Sequence, residues 1–206
     1  MMLSSLHSIS KKGFIASSIL GALLILVSTI YGKNECFLWA NGNGGKMADF
    51  FFKYITHLGD GAIFIPLFIW ILWKHKSFWR LIILTAVFST IITQGAKLFL
   101  FNGAPRPTKA ITDAFIHQVA GVEVHQINSF PSGHTATAFA AYLLILIIHP
   151  SKYWLVFGFI LTSLIAYSRV YLAQHFPIDL GAGIFAAVIS VALSYSILYQ
   201  KKSPTK

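Results

Sequence analysis

Near the C-terminal end, the stretch Ser168-Arg-Val-Tyr-Leu-Ala-Gln-His-Phe-Pro-Ile-Asp179 gathers a cation, an imidazole and a carboxylate between two apolar segments. It holds the last acidic residue of the chain, the one before it being Glu123. Charge so close to a bilayer core costs several kcal/mol on most scales, so a plain connecting loop has no reason to carry it. His175 and Asp179 are four residues apart, with Pro177 placed for the first turn of a helix. An Asp in that turn can hold one imidazole nitrogen and leave the other free to attack. Arg169 offers a planar fork suited to phosphoryl oxygens.

Two further stretches complete the chemistry. Pro131-Ser132-Gly133-His134 opens an apolar run. A helix N-terminus there presents free N–H groups, and Gly133 lets an anion come close to them. Ser132 either donates a hydroxyl to that anion or caps the helix, and His134 can protonate a leaving oxygen. Lys97 and Arg106-Pro107 add cations at the end of another apolar run. Three cations around one point favour a phosphate dianion. Two imidazoles, one as nucleophile and one as acid, then suffice for phosphoryl transfer without a metal.

These residues need a frame, and composition says which. Of the 206 residues 56% are hydrophobic and 11% charged, with a mean hydropathy of +0.69, so a water-soluble fold is excluded. The net charge of +10 is scattered in short clusters between apolar segments, which argues against a nucleic-acid face. Apolar runs at 13–31, 60–73, 79–100, 134–148, 153–168 and 178–199 read as membrane spans of one domain covering 1–206. The first is read as an uncleaved span, because its apolar run is long for a signal peptide. Met47, Phe50, Phe51, Tyr54, Ile55 and Leu58 recur at helical spacing and predict a short interfacial helix.

With both termini inside, Lys11, Lys12, Lys74, Lys76, Arg80, Lys152, Lys201, Lys202 and Lys206 are cytoplasmic. All six acidic residues then fall on the outer side, together with Lys97, Arg106, His134, Arg169 and His175. The expectation is an all-α, six-helix membrane bundle with its site at the outer, periplasmic face of a bacterial inner membrane. His57 and Asp60 read as capping or interfacial groups ahead of the second span. His117, Glu123 and His125 share a loop, but their spacing fits no standard metal-ligand set. Gly181 and Gly183 read as close-packing positions in the last span.

The three stretches resemble the signature of the type 2 phosphatidic acid phosphatase family, related in its active site to vanadium haloperoxidases. Residues 168–179 match its Ser-Arg-x5-His-x3-Asp motif and 131–134 its Pro-Ser-Gly-His motif without departure. The first motif, Lys-x6-Arg-Pro, is stretched here: eight residues separate Lys97 from Arg106, and Phe99 stands where the lysine is expected. The resemblance implies a phosphohistidine at His175, oriented by Asp179, with His134 protonating the leaving group and later activating water. It implies phosphate binding by Lys97, Arg106, Ser132, Gly133 and Arg169, and no metal or other cofactor. It also implies a membrane lipid phosphate as substrate: undecaprenyl pyrophosphate, phosphatidylglycerol phosphate, phosphatidic acid or lipid A phosphate. A lipid phosphotransferase with the same pocket, or a non-catalytic protein binding anionic lipid, are the alternatives.

Overall fold

A bilayer offers no partner to free backbone N–H and C=O groups, so apolar runs of this length fold as helices. The computed structural model describes residues 6–199, and among them every regular element is helical, with one isolated bridge between Pro105 and Ile127. The basic C-terminal residues Lys201, Lys202 and Lys206 lie outside the described range.

The chain runs through α1 (Ser8–Tyr31), α2 (Lys33–Ala40), α3 (Gly45–Ile55), α4 (Phe64–Lys74) and α5 (Trp79–Gly95). It continues through α6 (Pro107–Ala110), α7 (Gly133–Ile148), α8 (Phe159–Tyr171) and α9 (Pro177–Tyr199). A π-helical turn extends α5 over Ala96–Leu100, and another, Trp154–Gly158, leads into α8. Helix α1 starts five residues ahead of the expected span because His7 Nδ1 accepts the Ile9 N–H and caps it. Helix α2 was not foreseen: its eight residues carry no periodic apolar stripe.

Four helical stretches are long and apolar enough to cross a membrane: Ser8–Tyr31, Lys76–Leu100, Trp154–Tyr171 and Pro177–Tyr199. The count reaches five if Gly45–Gly59 and Gly61–Lys74, which meet at 60°, form one broken span. The expected 60–73 run coincides with Gly61–Lys74, which is too short to cross by itself and meets the preceding helical segment at the bend. Helix α7, with 16 residues, rises about 24 Å, short of a hydrocarbon core of about 30 Å. It is the centre of the bundle instead, burying Phe139, Leu143, Leu144 and Leu146 completely. The protein is an integral membrane protein built of helices around that centre.

Helix α9 packs along α1, α5 and α7. Two of these contacts are backbone on backbone. A Cβ at Gly181 would stand 2.7 Å from the Gly21 carbonyl oxygen, and one at Gly183 2.5 Å from that of Ser132. The second approach brings the start of α9 onto the start of α7, where the sequence places its chemistry. Helix α3 leaves Met47, Phe50, Phe51 and Tyr54 exposed, the apolar side of the expected interfacial helix.

Candidate active site

Four helix ends meet at one end of the bundle: the C-terminal ends of α5 and α8 and the N-terminal ends of α7 and α9. Between them lies a cavity of about 450 Å³ lined by Lys97, Arg106, Gly133, His134, Arg169 and His175, among others. Residues scattered from 97 to 175 thus share one space.

The His175 side is built first by α8, which carries Ser168 and Arg169 in its last turn rather than in the following loop. The chain then reverses sharply: the N–H groups of Gln174 and His175 both donate to the Arg169 carbonyl, with Ala173 at φ 55°. That reversal aims His175 back at the bundle. Its Nδ1 lies 3.3 Å from Asp179 Oδ2, so Nε2 is left for an incoming group. Asp179 Oδ2 also accepts the Phe176 N–H at 3.0 Å and the Ser129 hydroxyl. The Asp179 carbonyl accepts the Ser132 N–H at 3.0 Å, tying α9 to α7. His175 and Asp179 are each 2% exposed, so the pair is buried. Burial pushes the His175 imidazole down to about 3, against the raising effect of Asp179. It is neutral at ordinary pH, the form able to attack.

The cations are held from behind. Arg106, at the N-terminal boundary of α6, turns inward, its Nε donating to the Ile127 carbonyl at 2.9 Å. Its Nη1 donates to both the carbonyl and the Oε1 of Gln174, each at 2.9 Å. Burial lowers the affinity of Arg106 for its proton, and Asp179 opposes that effect. Arg169 Nη1 donates to Thr56 Oγ1 at 2.7 Å, while its Nε is buried without a partner. A buried donor left so costs about 1–3 kcal/mol, which a phosphoryl oxygen would relieve.

Lys97 sits within the π-helical turn. A π turn carries an extra residue against the α ladder, which shifts the register of the side chains on it. The lysine that the motif spacing placed two residues out of position lines the cavity, and a Cβ at Gly133 would lie 4.0 Å from its Nζ. Nothing else stands within 4 Å of that Cβ, so Gly133 leaves open space at the start of α7. Ser132 caps α7, its Oγ accepting the Thr135 N–H at 3.4 Å and the Thr135 hydroxyl at 2.9 Å.

Asp60 departs from its reading as an interfacial group. Its Oδ1 stands 2.7 Å from His134 Nε2, and its Oδ2 3.1 Å from His57 Nδ1. Thr56 was likewise missed. No pattern in the sequence ties residues 56–60 to the distant motifs; only the 60° bend brings them there. The loop histidines separate. His117 Nε2 bonds Asp49 Oδ1 at 2.9 Å, while His125 lines the cavity. No group of three or more His, Cys, Asp or Glu that could hold a metal occurs among the described residues.

Comparison with known proteins accounts for the arrangement. A model of the family described as the PAP2 superfamily matches residues 78–203, more than half of the chain. The chain belongs to the PAP2 superfamily. Its type 2 phosphatidic acid phosphatase motifs thus sit in a chain of that family, a family of lipid phosphatases. The structure of Aquifex aeolicus LpxE is similar at a TM-score of 0.69 and 28% identity, over 79% of this PAP2 chain and 93% of that one. A PAP2 type phosphatidylglycerolphosphate phosphatase from Bacillus subtilis shares the fold at a TM-score of 0.59 and 18% identity, over 93% and 96%. The bacitracin transport permease protein BcrC of Bacillus licheniformis is 37% identical over 67 residues. That match spans 32% of this PAP2 chain and 32% of the permease, about a third of each.

Proposed function

We propose that this membrane protein removes phosphate from a membrane lipid phosphate or pyrophosphate through a phosphohistidine, without a metal. The observation that carries the reading is His175 held at Nδ1 by Asp179, with Nε2 free beside Lys97, Arg106 and Arg169. In the first step Nε2 attacks phosphorus, the bond to the leaving oxygen breaks, and His134 gives that oxygen a proton. In the second, water attacks the phosphohistidine, the P–N bond breaks, and His134 takes a proton from the water. The two arginines, Lys97 and the N–H groups at the start of α7 stabilise charge on the oxygens in flight.

The same reading takes 1–206 as one domain of six spans, α4 with the bend and α7 included, in a bacterial inner membrane. It puts both termini in the cytoplasm and the cavity on the outer face. The spread of charge supports that orientation, because all six acidic residues lie on the cavity side under it. The Bacillus subtilis neighbour acts on phosphatidylglycerol phosphate, which supports that lipid as one candidate. The others are undecaprenyl pyrophosphate, phosphatidic acid and lipid A phosphate.

The test is phosphate release by the purified protein from these four lipids, with a chelator present throughout. Release from at least one is expected, with turnover abolished in His175→Ala and inhibited by vanadate, a mimic of the phosphoryl group in flight. Full turnover in that variant would overturn the assignment of the nucleophile.

A further inference from the structure

We infer that Asp60 is the positioning carboxylate of His134, so the site works with two Asp–imidazole pairs: Asp179 with His175, and Asp60 with His134. The inference rests on the phosphatase reading above and extends it to a residue that neither the motifs nor the matched segment 78–203 includes.

Geometry argues it first. Asp60 Oδ1 is 2.7 Å from His134 Nε2, closer than Asp179 Oδ2 is to His175 Nδ1 at 3.3 Å. With Nε2 engaged, Nδ1 is the atom left for the leaving oxygen and, later, for water. A carboxylate so placed stabilises the imidazolium that a general acid must present, and fixes which nitrogen carries the transferable proton. The other charges facing His134 are the cations Arg169, Lys97 and Arg106. An imidazolium among three cations needs an anion beside it, and Asp60 is the one in contact.

The chain is shaped for this contact. Asp60 lies at the 60° bend, extended at φ −67° and ψ 147° between two 3-10 turns. Gly59 lets the bend press on α7: a Cβ there would stand 3.1 Å from both the Cβ and the carbonyl oxygen of His134, and 3.0 Å from Ile165. His57 Nδ1 holds the other carboxylate oxygen at 3.1 Å. The same segment supplies Thr56 to Arg169. One bend therefore supports the acid and a phosphate-binding arginine together.

The chemistry predicts which step suffers. A lipid alkoxide leaves only when protonated, whereas p-nitrophenolate leaves without an acid. Asp60→Asn should therefore lower kcat on the lipid substrate about 10²-fold with KM within about threefold. On p-nitrophenyl phosphate it should still release a first equivalent of p-nitrophenol at close to the wild-type rate, before slow hydrolysis of the phosphoenzyme. Asp60→Glu should recover part of the lipid turnover, and adding Asp60→Asn to His134→Ala should cost less than about threefold more. A carboxylate that merely supports the fold would slow both substrates alike and multiply with His134→Ala, and either result would overturn the assignment. So would unchanged kcat in Asp60→Asn. Failure of the phosphatase reading itself looks different: wild-type protein would release no phosphate, or His175→Ala would stay active.

Discussion

At the scale of single residues, the proposed nucleophile His175 depends on how many donors converge on Asp179. Its Oδ2 is shared by the His175 ring, the Phe176 N–H and the Ser129 hydroxyl. Ser129→Ala removes one charge-assisted hydrogen bond, a contribution of about 1.5–3 kcal/mol, and should lower kcat on the order of tenfold with KM little changed. Initial rates on the lipid identified by the release panel check this. The buried imidazole also links folding to acidity. With a folded value of about 3 and an unfolded value near 6.5, His175 takes up a proton only on unfolding between those limits. Stability from this group is thus complete above about pH 6.5 and falls as the pH drops towards 3. A series of Tm measurements in detergent from about pH 7 to about pH 4 should slope less in His175→Asn than in the wild type. Most of these residues were legible in the sequence, because His175, Asp179 and Arg169 fall within one helical turn or reversal of each other. Ser129 and Gln174 were not, since a serine or glutamine in a loop carries no spacing signal and gains its meaning from the fold alone.

At the scale of elements, two glycines separate chemistry from packing. At Gly133 a Cβ would meet only Lys97 Nζ at 4.0 Å, whereas at Gly183 it would meet the Ser132 carbonyl oxygen at 2.5 Å. Gly133→Ala should therefore fold with Tm within a few degrees of wild type yet lose turnover about 10²-fold, its methyl group occupying the place of a phosphoryl oxygen. Gly183→Ala should instead lower Tm and yield, because backbone on α9 and α7 must part. Thermal shift and turnover measured on the two variants side by side distinguish the roles. The starts of α7 and α9 were readable from Ser132 and Pro177, which are strong local signals of a helix N-terminus. The bend at Asp60 was not. Its flanking glycines mark a break, but the angle comes from packing against His134 and Ile165.

At the scale of the whole molecule, the apolar runs disclosed the membrane and the helical segments. They also gave the length of α7, whose 134–148 run matches Gly133–Ile148 between the Ser132 cap and Pro150, and packing decides that this short helix is enclosed by the others along most of its surface. The orientation is open to a direct test. Cys36 is buried, and with Cys36→Ser as background an Asn43→Cys variant places one exposed thiol in the turn between α2 and α3. A membrane-impermeant maleimide added to intact cells should label it, and labelling only after lysis would invert the proposed topology. The π-helical turn at Lys97 carries a lesson for how such chains are recognised. A signature written as a fixed number of residues between lysine and arginine measures distance along the chain, whereas the substrate meets only a distance through space. The two measures part company here, since Lys97 lines the cavity although the count to Arg106 is two residues too long.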